Sequence, residues 1–316
     1  MAEELMKAAF LFPGQGSQSV GMGAEWIDSH SCRGWLDMAG QVIGRDIRAL
    51  CVTGPKEDLD KTVYTQPCIY LLSAMLLHNL GERGITPVAV AGHSAGEYAA
   101  LLAAGAWDFE TGLNVIATRA RIMYDCGLKR PGGMAAVIGM DGSQVDEVCK
   151  EVFPQGEVVV ANRNTPIQTV VSGDKSGIER ICEILKERGA RRAIPLPVSG
   201  AFHSPLLSEG VLEFAEYLKS ISIRTPEIPW ISNRTGEPES SPKTIREHLA
   251  GQLNSPVQWI KTMETMEQLP CDRFLEIGPG KVLAGLAKGC GSAKPCISVG
   301  SPTELDSILN DGDSIS

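Results

Sequence analysis

A short apolar run, Val88-Ala89-Val90-Ala91, is followed at once by Gly92-His93-Ser94-Ala95-Gly96 and then by a helix-forming stretch from Glu97. No other part of the chain constrains the fold so tightly. G-x-S-x-G between a strand and a helix is the sequence form of a nucleophile elbow. The strand ends, the chain turns sharply, and Ser94 stands at the tip of the turn. Gly92 and Gly96 flank it because side chains there would crowd a tight corner. The backbone N–H of Ala95 opens the helix. It points, with the positive end of the helix dipole, at the place where an oxyanion would form. The competing account is a glycine-rich turn whose serine caps the helix.

The chain of 316 residues is long enough for one large domain or two smaller ones. Its formal net charge of −9 argues against nucleic acid or an anionic membrane as a general partner. No apolar run approaches the ~20 residues that span a bilayer. The opening Met1-Ala2-Glu3-Glu4-Leu5-Met6-Lys7 is polar and acidic and is expected to be neither signal nor transit peptide. Nine cysteines are scattered without a C-x-x-C, and none has partners at metal-ligand spacing. Reduced thiols in a cytoplasmic protein, with no metal site, are therefore expected.

Taken in order, the chain alternates strand and helix. Ala8-Ala9-Phe10-Leu11-Phe12 reads as a buried strand that runs into Pro13-Gly14-Gln15-Gly16-Ser17-Gln18. That loop lacks G-K-[ST] and G-x-G-x-x-G, so it is not a phosphate loop. Residues 26–80 read as helical, broken at Gly54-Pro55 and before Pro67. Helices follow at 97–104 and 109–124; the second places Arg119 near its buried side. Lys129-Arg130-Pro131-Gly132-Gly133 breaks the pattern. Strands at 134–140, 158–162, 169–172 and 192–198, with helices at 142–152 and 177–188, then give β-α-β-β-α-β, the split ferredoxin-like order.

Beyond 198 comes Ala201-Phe202-His203-Ser204. Of five histidines, His203 is the best candidate base for Ser94, since imidazole accepts a hydroxyl proton near neutrality. His93 is expected to face away from the nucleophile and to be structural. His30, His78 and His248 lie in helical, mostly polar surroundings. Residues 230–233 read as strand and turn, and 245–253 as a helix with Gln252 in its last turn. The last strand precedes Gly278-Pro279-Gly280, and a serine- and aspartate-rich tail from 301 is expected to be disordered.

Phe12-Pro13-Gly14-Gln15-Gly16-Ser17-Gln18, Gly92-His93-Ser94-Ala95-Gly96-Glu97-Tyr98, Arg119, Ala201-Phe202-His203-Ser204, Gln252-Leu253-Asn254-Ser255-Pro256-Val257-Gln258-Trp259 and Glu276-Ile277-Gly278-Pro279-Gly280 occur together in this order. In this set, spread over residues 7–300, the chain resembles the malonyl-CoA:acyl carrier protein transacylases and the acyltransferase domains of polyketide synthases. The resemblance implies an α/β fold in which residues 1–130 and 199–300 form an α/β-hydrolase-like subdomain and 131–198 a ferredoxin-like insert. It implies Ser94 and His203 as a catalytic dyad, with the histidine oriented by the backbone carbonyl of Gln252. Gln15 and Ala95 would supply the oxyanion-hole N–H groups, and Arg119 would hold the malonyl carboxylate. Phe202 matches the variant that goes with malonyl over methylmalonyl, and Asn162 a pocket asparagine.

The implied activity is ping-pong transfer of malonyl from coenzyme A to acyl carrier protein in fatty acid synthesis, by a cytoplasmic monomer without a cofactor. Carrier protein is usually acidic, so Lys129-Arg130 and Arg191-Arg192 are candidate docking charges. An acyl hydrolase, an acyltransferase serving a polyketide or malonate decarboxylase system, and a non-enzymatic carrier-binding scaffold are the alternatives.

Overall fold

The structure, a computed structural model, describes residues 7–26, 32–198 and 200–311. The opening residues 1–6, His30 and the end of the tail, 312–316, lie outside the described residues. The class is mixed α/β, as expected. In chain order the described strands are β1 Ala8–Phe12, β2 Val90–Gly92, β3 Gly132–Ile138, β4 Val158–Thr165, β5 Gln168–Asp174, β6 Arg192–Pro195, β7 Trp230–Ile231, β8 Pro238–Glu239, β9 Arg273–Ile277 and β10 Cys296–Val299.

One sheet has the order β10-β9-β1-β2-β7-β8. It is parallel except for β8 at its edge. All five residues of β1 are buried. This explains the unbroken apolar run, because a central parallel strand is covered on both faces. Helix Thr62–Glu82 packs into the same core and is buried along nearly its whole length, as its apolar surface on every side requires.

The other sheet is antiparallel, with order β4-β5-β3-β6. The chain enters it after β2 and leaves it before β7. Helices Gly142–Val152 and Lys175–Glu187 close a separate apolar cluster against it, including Val145, Ile178, Ile181 and Leu185. Side chains of β3 alternate: Ala135 and Val137 enter that cluster, while Met134 and Ala136 face a cleft toward the first sheet. The antiparallel sheet is tied to the returning chain where Asn162 of β4 bridges Val257, which lies outside either sheet's strands. Arg163 N–H donates to Val257 O at 2.9 Å, and Val257 N–H to Ala161 O at 2.9 Å.

Three expectations need correction. Pro67 does not begin a new helix; it lies inside Thr62–Glu82. The missing N–H costs one bond near the helix start, and burial on all sides of Gln66, Pro67 and Cys68 holds the helix through it. The strand at β9 is not the last, since β10 follows on its outer side. Finally, the tail is helical over Pro302–Asp311. Ser301 Oγ caps it by accepting from Glu304 N–H at 3.2 Å, and Glu304 returns a bond to Gly300 N–H at 2.9 Å. This is close to a capping box, and Leu305 is fully buried beneath it. Polar composition concealed a short helix. No described helix is long and apolar enough to cross a membrane.

Leu305→Ala should therefore destabilise the protein by about 2–4 kcal/mol in urea melts. A disordered tail would leave the melt unchanged.

Candidate active site

Among the described residues only two non-glycine residues have positive φ: Ser94 at 51° and His203 at 58°. Such backbone is sparsely populated and persists where its surroundings enforce it. At Ser94 the enforcement comes from β2 behind it, helix Gly96–Ala103 ahead of it, and Asn233 beside it. Asn233 Oδ1 accepts from Ser94 N–H at 2.7 Å, and its Nδ2 donates to Gly92 O at 2.6 Å. A Cβ on Gly96 would overlap the carbonyl of Phe12, so the helix starts in contact with β1 only because that residue is glycine.

His203 is held in the same way. Its N–H donates to Leu253 O at 3.0 Å. Its Nδ1 lies 2.8 Å from Gln252 O. A carbonyl only accepts, so Nδ1 carries the proton and Nε2 is free to accept. Nε2 stands 2.8 Å from Ser94 Oγ. Burial, reinforced by the charge of Arg119, pushes the imidazole down to about 3. The ring is thus neutral and competent as a base throughout the physiological range.

Arg119 comes from helix Phe109–Lys129 and is fully buried. Nη1 donates to Gln66 Oε1 at 2.7 Å, and Nη2 donates to Gln252 Oε1 at 2.6 Å and to Ser94 Oγ at 3.1 Å. The guanidinium lies over the ring of Tyr98, 5.4 Å from its centroid. Its Nε has no partner. Burial lowers its proton affinity from the usual arginine value. A cation held by neutral amides and an aromatic face, beside a serine hydroxyl, is chemically suited to receive an anionic group.

Ser94 and His203 open into a cleft of about 200 Å³ between the two sheets. Gln15, Asn162 and Phe202 line it, as do Met134, Gln168 and Val170 of the antiparallel sheet. Gln15 reaches the elbow because Gly14 lacks a side chain. A Cβ there would overlap the His93 carbonyl oxygen and lie 3.4 Å from Ala95 N. Neither Gln15 N–H nor Ala95 N–H donates to a backbone carbonyl, which leaves both available to an oxyanion. Ala95, Arg119 and Gln252 lie beside or beneath the cleft. The residues singled out by sequence therefore converge on one site. Among the described residues no cluster of His, Cys, Asp or Glu could hold a metal ion.

Sequence reasoning missed Gln66, Glu97 and Asn233, and took His93 as structural only. His93 does turn from Ser94, with Nε2 2.9 Å from Asn164 Oδ1 and an edge contact to Trp259, yet it also borders the cleft. Glu97 follows the elbow directly and reads as an ordinary acidic helix start. Gln66, just before a proline in an otherwise apolar helix, was the clearest overlooked signal.

The chain matches the family model described as acyl transferase domain over residues 9–303. It is 38% identical over 304 residues to the malonyl CoA-acyl carrier protein transacylase of Bacillus subtilis, covering 96% of each chain. The crystal structure of acyl-carrier-protein S-malonyltransferase from Burkholderia pseudomallei is similar with a TM-score of 0.91 and 41% identity, over 96% of this chain and 100% of that one. A type II polyketide acyl-carrier protein in complex with its malonyl-transacylase matches with a TM-score of 0.91 and 35% identity, over 96% and 99%.

A base whose pKa is depressed is lost only as the pH falls toward the depressed value. The rate at which a fluorophosphonate labels Ser94 should therefore stay level between about pH 8 and pH 5, with no inflection near the ordinary imidazole value of about 6.5. A sigmoidal loss centred between about 6 and 7 would contradict the neutral, buried His203.

Proposed function

This chain belongs to the acyl transferase domain family, among its malonyl CoA-acyl carrier protein transacylases, and we propose that it moves malonyl from coenzyme A to acyl carrier protein through an ester on Ser94. One observation carries the proposal: Ser94 Oγ lies 2.8 Å from the accepting nitrogen of His203 and 3.1 Å from the buried cation of Arg119. A nucleophile and its base give acyl transfer; the adjacent guanidinium selects an acyl group that ends in a carboxylate.

The proton of Ser94 passes to His203 Nε2 as Oγ attacks the thioester carbon. The N–H groups of Gln15 and Ala95 hold the resulting oxyanion, each worth ~3–4 kcal/mol in comparable sites. The intermediate collapses, and the coenzyme A sulfur leaves with the proton from His203. A malonyl ester of Ser94 remains. Its carboxylate pairs with Arg119 in a charge-assisted contact, while the amide oxygens of Gln66 and Gln252 hold the guanidinium in place. The phosphopantetheine thiol then gives its proton to His203 and attacks the ester. Collapse returns that proton to Ser94 and releases malonyl carrier protein, so kinetics are ping-pong.

Phe202 crowds the space an α-methyl branch would take, and Asn162 offers a polar contact across the cleft. We take residues 131–198 as an insert that roofs the cleft. The enzyme works as a cytoplasmic monomer, needs no cofactor, and supplies extender units for fatty acid synthesis. Of the candidate docking charges, Arg130 is paired with Glu209 at 2.5 Å. Exposed Lys129, Arg191 and Arg192 are the better candidates for an acidic carrier. Arg192 opens β6, whose continuation through Leu196 and Val198 lines the cleft.

Brief exposure to malonyl-CoA without carrier protein should give one malonyl adduct by intact mass spectrometry. The adduct should be absent in Ser94→Ala and discharged by carrier protein. An adduct that water alone removes quickly would mark a hydrolase instead. Arg119→Ala should lower malonylation about 10–100-fold while acetylation holds or rises; equal losses on both donors would refute the clamp.

A further inference from the structure

Glu97, second residue of helix Gly96–Ala103, is 1% exposed. An acidic residue at a helix start ordinarily sits in water and complements the dipole. This one turns inward, and both its oxygens face N–H donors. Oε1 accepts from Asn233 N–H at 2.7 Å, and Oε2 accepts from Gln252 Nε2. Gln252 Nε2 spends its second hydrogen on Ser94 O at 3.2 Å. With both amide hydrogens committed, Gln252 Oε1 has one direction left, toward Arg119 Nη2 at 2.6 Å. Flipping the amide would set an NH2 against the guanidinium, donor against donor, and leave a buried oxygen against the Glu97 carboxylate.

On the transacylase assignment above, we propose that Glu97 is a positioning residue for acyl selection: its carboxylate fixes the amide of Gln252 so that Arg119 is aimed into the site beside Ser94. Neither Glu97 nor Asn233 touches the acyl group. Glu97 acts through Gln252 on the guanidinium, and Asn233 couples the same carboxylate to the elbow it clamps.

The test is the ratio of malonyl-CoA to acetyl-CoA acylation of Ser94, read by intact mass spectrometry in the full chain. Glu97→Gln keeps the volume but places an NH2 where one acceptor stood, so either Asn233 N–H or Gln252 Nε2 meets a donor. The ratio should fall at least about tenfold. Gln252→Met removes the amide and leaves the backbone carbonyl that holds His203; it should lower the ratio similarly. The double variant should fall no further than the larger single loss, because the two residues act as one chain. An unchanged ratio in folded Glu97→Gln, or additive losses in the double variant, overturns the proposal. Should Glu97→Gln not fold, Glu97→Asp takes its place in the same cycle, under the same criteria. Failure of the wild-type protein to form a malonyl adduct would instead refute the transacylase assignment, before any variant is compared.

Discussion

The side-chain amide of Asn233 closes the elbow at both ends, accepting from Ser94 N–H and donating to Gly92 O. A serine at φ 51° carries roughly 1–3 kcal/mol of backbone strain. Its N–H is cut off from strand and helix partners alike. Two buried hydrogen bonds from one rigid side chain offset that strain and satisfy the orphaned donor. Everything else at the site is referenced to the resulting position of Oγ. His203, itself at φ 58°, is brought to meet it by bonds to Gln252 O and Leu253 O. The hydroxyl and the imidazole proposed as nucleophile and base are therefore held in place without substrate, which is how a scaffold removes orientational entropy from a reaction.

Electrostatics add a second constraint. Among the described residues Arg119 has no direct ion pair; amide oxygens, the Ser94 hydroxyl and the face of Tyr98 meet its charge, and Glu97 lies beyond Gln252. Such a cation is costly in the free enzyme and strongly attracts a carboxylate. It also disfavours a proton on His203, which keeps Nε2 unprotonated toward the hydroxyl. Glu97 lies in the same low-dielectric region, and burial pushes its carboxyl up to about 8. Its two N–H donors nonetheless describe an acceptor-only group, the bonding pattern of a carboxylate.

How much of this was legible in sequence depended on how local each signal was. The elbow is local: glycine, serine and helix start lie within a few residues, and steric need alone identifies them. Most strands of the two sheets were also legible from their apolar runs, β1 above all, though β8 and β10 at the edges of the first sheet were not. His203 could be ranked above four other histidines, but only the fold brings it to Ser94. The role of Arg119 came from resemblance, since helix spacing gave its side and not its target. Asn233 was not legible at all. It follows a two-residue strand, and its bonds span 139 and 141 positions of chain to Ser94 and Gly92. The helix at 302–311 was missed for the opposite reason: Ser301 and Glu304 spell a cap, but the acidic composition around them outweighed it.

The segment 252–257 joins chemistry to selection mechanically. Gln252 O orients the imidazole and its side-chain oxygen orients Arg119; Leu253 O fixes the His203 backbone; Val257 carries both hydrogen bonds that tie this segment to β4 at Ala161 and Arg163. Asn162 lies between those two bonds and lines the cleft. Asn162 of the cleft wall and His203 are thus anchored to one short stretch of backbone. This also accounts for a chain order in which Ser94 and Arg119 precede the antiparallel sheet while His203, Asn233 and Gln252 follow it. Ser94 is set by β1, β2 and the helix after the elbow, whereas the surroundings of His203 and Arg119 are completed only when the returning chain packs against them.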